Sequence, residues 1–261
     1  MSEHRPISFA SLPADVGVEL GADHVARIEI RRPPNNHFDT ALIAAIADAC
    51  DELANSTTCR AIVLCSEGRH FCAGADFAAP AAEGPHLYDM AIRLFEQPLP
   101  IVAAVQGAAI GGGLGLAMAA DFRVASHEAR FAANFARLGF HHGFGLSVTL
   151  PLAVGHTSAL DLLYTGKRID GAEAHRIGLC DRLVPAASLR AEAEALAVQI
   201  ANSAPLAVRS IRATMRGHLA DQVRAALDRE KSEQDRLRRT ADWREGVAAT
   251  AGRRDPVFTG T

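Results

Sequence analysis

Lysine is nearly missing from this chain. Of 27 basic residues among 261, only Lys167 and Lys231 are Lys, and the other 25 are Arg. Arg suits planar, bidentate contact with phosphate or carboxylate. Charge of one sign is also missing: 30 acidic residues leave a formal charge of -3. That balance excludes the strongly basic surface of a nucleic-acid binder, and the 49% apolar content excludes disorder. The five cysteines (Cys50, Cys59, Cys65, Cys72, Cys180) are odd in number and form no CxxC pair. They read as small apolar thiols of a reduced, cytoplasmic protein rather than as a disulfide frame. The 11 His include no HExxH and no Cys/His set at zinc spacing, so no metal is expected. The first residues, MSEHRPISFASLPAD, contain acids and lack the apolar core of a signal peptide.

One stretch tests for a membrane. Residues 97–120 carry no charge, and 18 or more apolar residues would make a spanning candidate. Pro98 and Pro100 at its start, five glycines in its middle and the lack of basic flanks argue instead for a buried strand, a Gly-rich loop and a helix start. No membrane association is expected. Elsewhere Val25 to Ile30, Ala61 to Cys65, Ile101 to Val105 and Phe122 to Ala125 read as strands. Asp39 or Thr40 caps a helix with apolar residues at Leu42, Ile43, Ile46, Cys50 and Leu53. Alternating strands and helices predict an α/β protein with parallel pairing. From about residue 187 the chain is Ala-, Arg- and Glu-rich and helical. Ala204-Pro205 separates one helix, with Leu189, Ala193, Leu196 and Ile200, from the next. Val223, Leu227 and Leu237 mark a later amphipathic one. The expected division is an α/β core over residues 1–200 and a helical region over 201–261.

Two Gly-rich features follow strands. The first is Ser66-Glu67-Gly68-Arg69-His70-Phe71-Cys72-Ala73-Gly74-Ala75-Asp76, whose small residues let a ligand approach the backbone. The second runs from Val105 to Gly115 and opens a helix with Gly111-Gly112-Gly113. The unpaired N–H groups of such an end suit an anion or a developing oxyanion. Neither is a dinucleotide GxGxxG, a GK[ST] phosphate loop or a GxSxG elbow.

The segments Phe71-Cys72-Ala73-Gly74-Ala75-Asp76 and Gly107-Ala108-Ala109-Ile110-Gly111-Gly112-Gly113-Leu114 resemble the crotonase (enoyl-CoA hydratase/isomerase) family. The likeness continues through Gly166 to Ala174, Gly178-Leu179, Leu183-Val184-Pro185, Trp243 to Gly246 and Arg254 to Gly260. It implies a spiral of repeated ββα units, with a C-terminal helical region that forms a homotrimer or a dimer of trimers and completes the active site. The implied ligand is an acyl-CoA thioester. Coenzyme A enters as part of the substrate and no cofactor is tightly bound. By the same resemblance the N–H groups of Ala75 and Gly112 form an oxyanion hole. Residues near Ala73 and Asp76 receive the adenine, Gly111, Gly115 and Phe135 join them in binding the substrate, and Arg253 lies near the CoA phosphates.

Two Glu positions of family hydratases fall here at Gly115 and Phe135, and a third acidic site of some relatives falls at Gly143. An efficient hydratase is therefore not expected. His141 and His142 are the nearest candidate acid/base groups, with capping of a tight turn as the competing role. Asp76 reads as a loop-shaping carboxylate, Arg69 and His70 as solvent or phosphate neighbours, and Asn134 as an amide within reach of a carbonyl. The segment from Phe77 to Tyr88 is expected to line or cover the acyl pocket. Decarboxylation, isomerisation and a carbon–carbon bond reaction all remain open. So do a catalytically inactive acyl-CoA-binding protein and an assembly subunit that keeps only the fold.

Overall fold

A computed structural model describes residues 9, 12–76 and 86–261. In chain order its elements are β1 (Val16–Leu20), β2 (Val25–Ile30), α1 (Thr40–Asn55), β3 (Ala61–Ser66), α2 (Leu87–Glu96), β4 (Ile101–Val105) and β5 (Ala108–Ile110). Then come α3 (Gly112–Ala119), β6 (Phe122–Ser126), β7 (Arg130–Ala132), α4 (Leu146–Val154), α5 (His156–Thr165), β8 (Ile169–Asp170) and α6 (Gly171–Arg176). β9 (Arg182–Val184), α7 (Leu189–Ala201), α8 (Pro205–Leu237) and α9 (Ala241–Ala251) complete the chain. Six strands form one sheet in the order β1-β2-β3-β4-β6-β9, and β5-β7-β8 form a second. Only the β1–β2 pair in the larger sheet is antiparallel.

The spiral is visible in how the chain feeds the two sheets. β4 lies in the large sheet, β5 in the small one, and α3 closes the turn. The next turn repeats this with β6, β7 and α4. The all-buried run of β3 shows why its sequence lacks alternation. Ile62 and Leu64 point into the main core, while Ala61, Val63 and Cys65 meet α7 on the other face. A parallel strand covered on both sides needs apolar residues throughout. α7 lays Leu189, Ala193, Ala197 and Ala201 on that second face. Its small residues at spacing four let helix and sheet approach closely. Asp39 is the helix cap of α1, and its side chain accepts from Leu42 N–H at 2.8 Å.

One sequence expectation is corrected. The separate later amphipathic helix does not exist: residues 205–237 form a single 33-residue helix, about 50 Å long at 1.5 Å per residue. Pro205 occupies its first turn, where a missing N–H costs nothing. Gly217 is tolerated within it because the rest of the helix is held by packing and charge. Val223 and Leu227 supply the packing. The charge comes from Asp121, which ends the turn between α3 and β6. It takes Arg216 Nη1 at 2.7 Å and Arg212 Nε at 3.1 Å, and also accepts the Ile101 N–H at 2.8 Å. Burial pushes the Arg212 pKa down despite Asp121. This lock fastens α8 to the start of β4.

Breaking a buried pair from one side leaves an uncompensated charge, at a cost of about 3–5 kcal/mol. Asp121→Ala is expected to lower the unfolding free energy by that amount in urea denaturation. A loss below about 1 kcal/mol would contradict the lock.

Candidate active site

The two Gly-rich features are stitched together by main-chain bonds. Cys72 N–H donates to the Ala108 carbonyl at 2.9 Å, and Ile110 N–H donates to the Cys72 carbonyl at 3.1 Å. On its other side the first loop is bridged to Phe38, whose N–H donates to the Gly74 carbonyl at 3.1 Å. Asn36 holds the loop's bend from below. Its amide donates to the carbonyls of Glu67 at 2.8 Å and His70 at 2.6 Å, and it is wholly buried with φ 49. His70 Nδ1 accepts from the Ala108 N–H at 3.1 Å, so the unprotonated ring nitrogen fastens one loop to the other. Burial, with Arg69 and Arg168 nearby, lowers the His70 pKa and favours that form.

The stitch requires glycine at one place above all. A Cβ on Gly113 would stand 2.1 Å from the Cys72 carbonyl oxygen, so only Gly lets α3 start against the first loop. Gly111, at φ 57, turns the chain into that helix. Gly112 is the first residue of α3, a position whose N–H has no intrahelical acceptor. A Cβ on Gly74 would lie 3.8 Å from Gly112 N, which brings Ala75 and Gly112 to one spot. Among the described residues, neither Ala75 N–H nor Gly112 N–H has a hydrogen-bond acceptor within the chain.

That spot joins two spaces. One is a groove of about 1440 Å³ bordered by Ala73, Ala75, Asp76, Asn134 and a basic set of Arg69, Arg130, Arg168 and Arg190. The other is a small cavity of about 80 Å³ that shares Ala73, Ala75 and Asn134 with the groove. Gly111, Gly112, Phe135, Phe140 and Phe144 also border it. Two N–H donors without an internal acceptor at such a junction can stabilise negative charge developing on a carbonyl oxygen. The neighbouring Cys72 thiol is buried, and burial pushes its pKa up to about 12, so it is inert as a nucleophile.

The three positions that the resemblance gives to acids hold Gly115, Phe135 and Gly143, and other atoms fill the space beside the two glycines. A Cβ on Gly115 would lie 2.4 Å from Phe144 Cβ, because the Phe144 ring occupies that space. Phe144 is buried and held at φ 61, an uncommon conformation for a bulky residue. Its ring packs 5.7 Å from that of Phe38. Phe135 is itself buried beside Phe140, with ring centroids 5.6 Å apart. A Cβ on Gly143 would lie 1.8 Å from the Tyr88 hydroxyl. That hydroxyl donates to Gln234 Oε1 at 2.9 Å, and the Gln234 amide donates to the His141 carbonyl at 2.9 Å. No Asp or Glu borders the small cavity among the described residues. Its polar groups are Tyr88, Asn134, Gln234 and Arg238.

Several expected site residues lie elsewhere. Neither His141 nor His142 borders the cavity. The rings stack at 4.1 Å; His141 Nδ1 is 2.7 Å from the His142 carbonyl, and His142 Nε2 is 2.8 Å from Ser147 Oγ. The backbone beneath them is fixed by buried Glu230, which accepts from Gly145 N–H at 2.9 Å and Ser147 N–H at 3.0 Å. Arg253 is exposed beyond α9 and does not border the groove; the four arginines named above do. Gly115 is behind Phe144 rather than on the cavity wall. Of the segment expected to cover the acyl group, residues 77–85 lie outside the described residues, while Leu87 and Tyr88 border the cavity.

Sequence comparison agrees with this architecture. The profile of the enoyl-CoA hydratase/isomerase family matches residues 21–261. The chain belongs to that family. Among curated relatives it is 38% identical to cyclohexa-1,5-dienecarbonyl-CoA hydratase of Thauera aromatica, over 79% of this chain and 82% of the relative. It is 30% identical to 1,2-epoxyphenylacetyl-CoA isomerase of Escherichia coli, over 90% and 95%. Among solved structures, an enoyl-CoA hydratase/isomerase from Pseudoalteromonas atlantica superposes with a TM-score of 0.87 at 33% identity, covering 94% of this chain and all of that one. The family thus includes hydratases and isomerases by name, and the contents of the cavity must separate them.

Burial, reinforced by His141, pushes His142 down to about 4. Between pH 6.5 and 4 the unfolded chain therefore binds a proton that the folded chain refuses, and stability falls as pH falls through that window. Urea denaturation at pH 7 and pH 4.5 should show the wild type losing about 2 kcal/mol more than His142→Gln. Equal losses would show that His142 titrates normally.

Proposed function

We propose that this protein is an enzyme on acyl-CoA thioesters. The thioester carbonyl accepts hydrogen bonds from Ala75 and Gly112 N–H, and the reaction proceeds through an enolate rather than through addition of water. The carrying observation is the junction itself: two main-chain donors where a wide, Arg-bordered groove meets a small cavity with no carboxylate among the described residues. The groove's four arginines suit the phosphates of coenzyme A. Its wall at Ala73 and Asp76 suits the adenine. Coenzyme A then belongs to the substrate, and no further cofactor is invoked.

Hydration needs a water held and deprotonated beside the double bond. Phe135 and Phe144 border the cavity with apolar rings, which offer no acceptor to hold or deprotonate such a water. Chemistry that needs the hole and no strong base fits better. In a decarboxylation, the bond from Cα to the carboxyl carbon breaks as CO₂ leaves. Its electron pair passes to the enolate held by the hole, and a proton then returns to Cα. The Tyr88 hydroxyl is a protic group at the cavity, and burial raises its pKa, so it remains a donor at neutral pH. A catalytically inactive acyl-CoA-binding protein is the alternative. The same apolar filling favours it, and turnover of any acyl-CoA separates the two.

The purified protein is expected to bind CoA esters by calorimetry and to hydrate crotonyl-CoA with kcat/KM at least about 10²-fold below an ordinary hydratase. Gly115→Glu should not raise that rate, because Phe144 holds the space. Rapid crotonyl-CoA turnover by the wild type would overturn the non-hydratase reading. Absence of binding to every CoA ester would overturn the thioester reading itself.

Assembly as a homotrimer or a dimer of trimers belongs to the same proposal. Leu206, Ile211 and Met215 of α8 and Leu152 of α4 are exposed apolar side chains, and the last three border one groove. Such a patch on a water-exposed face suits a second copy of the chain. Light scattering after gel filtration should give three or six times 27.7 kDa. Ile211→Glu with Met215→Glu should reduce the mass toward one chain. A monomeric wild type would overturn this part.

A further inference from the structure

The small cavity has one charged border residue among the described residues, Arg238, immediately after α8. Its position is built rather than incidental. The guanidinium lies 5.9 Å from the Phe140 ring centroid and 5.8 Å from that of Trp243, and those two rings pack 4.4 Å apart. Aromatic faces hold a guanidinium while leaving its N–H edge open to an acceptor. Among the described residues no carboxylate lies within 4 Å of it, although most arginines of this chain are paired. Next to it, Gln234 and the Tyr88 hydroxyl add neutral polar groups on the same cavity wall. The groove's own arginines border a different space, so Arg238 is not needed for the nucleotide end.

We infer that the acyl group of the substrate carries a carboxylate, and that Arg238 binds it. This inference rests on the thioester reading and narrows it to short ω-carboxyacyl thioesters. The physical ground is the sign of the field. Asp235, whose charge is felt by Arg238, pairs with Lys231 and does not border the cavity. A positive group on a wall that holds no acid among the described residues favours an anion over an alkyl chain of the same length. A carboxylate also gives the guanidinium a planar, bidentate partner that an alkyl end cannot. The small volume, about 80 Å³, limits the chain to a few carbons. The specificity device lies on the C-terminal side of α8, whereas the hole lies on the two Gly-rich loops. The acyl group therefore bridges two separate parts of the fold.

The test is calorimetry with matched pairs: succinyl-CoA against butyryl-CoA, glutaryl-CoA against valeryl-CoA, and free coenzyme A as reference. Wild type should bind the better carboxylated ester at least about tenfold more tightly than its alkyl counterpart. In Arg238→Gln the ratio should collapse to about one, and Arg238→Lys should restore part of it. Circular dichroism melting curves for each variant check that the exposed position leaves the fold intact. A wild-type ratio near one, or a ratio unchanged in Arg238→Gln, overturns the inference while leaving the thioester reading standing. Failure of free coenzyme A and of all four esters to bind overturns both.

Discussion

Cys72 is bonded through both its N–H and its carbonyl to the strand that precedes α3, and the site hangs on that tie. It sets the distance between two loops that are far apart in sequence. It also forces Gly113, because the same carbonyl oxygen blocks any side chain there. Once the loops are joined, Ala75 and Gly112 come to border one cavity. Asn36 and His70 act on the same tie from the two ends of the first loop. Loops are ordinarily the softer part of a fold. Here the loop is fastened at Phe38, Asn36, Ala108 and Ile110, so the donors are set before a ligand arrives.

The second constraint is space. Electrostatics alone would permit a carboxylate beside the hole, where a neighbouring Arg238 would stabilise its charge. Packing forbids it at Gly115 and Gly143, where Phe144 and the Tyr88 hydroxyl already stand. Phe144 holds its place at a positive φ, which is costly for a bulky side chain, at about 1–3 kcal/mol. The ring contact with Phe38 and full burial offset that cost. A carboxylate side chain at Gly115 or Gly143 would thus require moving an aromatic side chain.

The sequence shows the main strands, the cap at Asp39, the two loops and the missing acids, because each depends on local chemistry or on a short motif. It hides what depends on distant partners. Asn36 reads only as part of a Pro-Pro-Asn-Asn loop, since its buried amide bonds appear only when residues 67–70 fold over it. Tyr88 falls in the segment expected at the acyl pocket, but Gln234 and Arg238 escape because they come from the end of α8, more than 140 positions from it. The single helix over 205–237 also escapes, because Gly217 and a run of charges interrupt the apolar spacing. The signal for continuity was the uninterrupted lack of Pro from 206 to 237. His141 and His142 attracted notice by chemistry, yet side-chain direction is not written in spacing. Their rings turn toward Ser147 and their own backbone.

Main-chain donors have a further property. Their strength does not depend on which side chain each residue carries, so nearly any replacement at Ala75 other than Pro keeps an N–H in position. Genetic drift can therefore rewrite the walls of the cavity while the charge-stabilising atoms persist unaltered. A descendant that loses one set of proton carriers keeps a working electrophile clamp, on which a different reaction can be assembled.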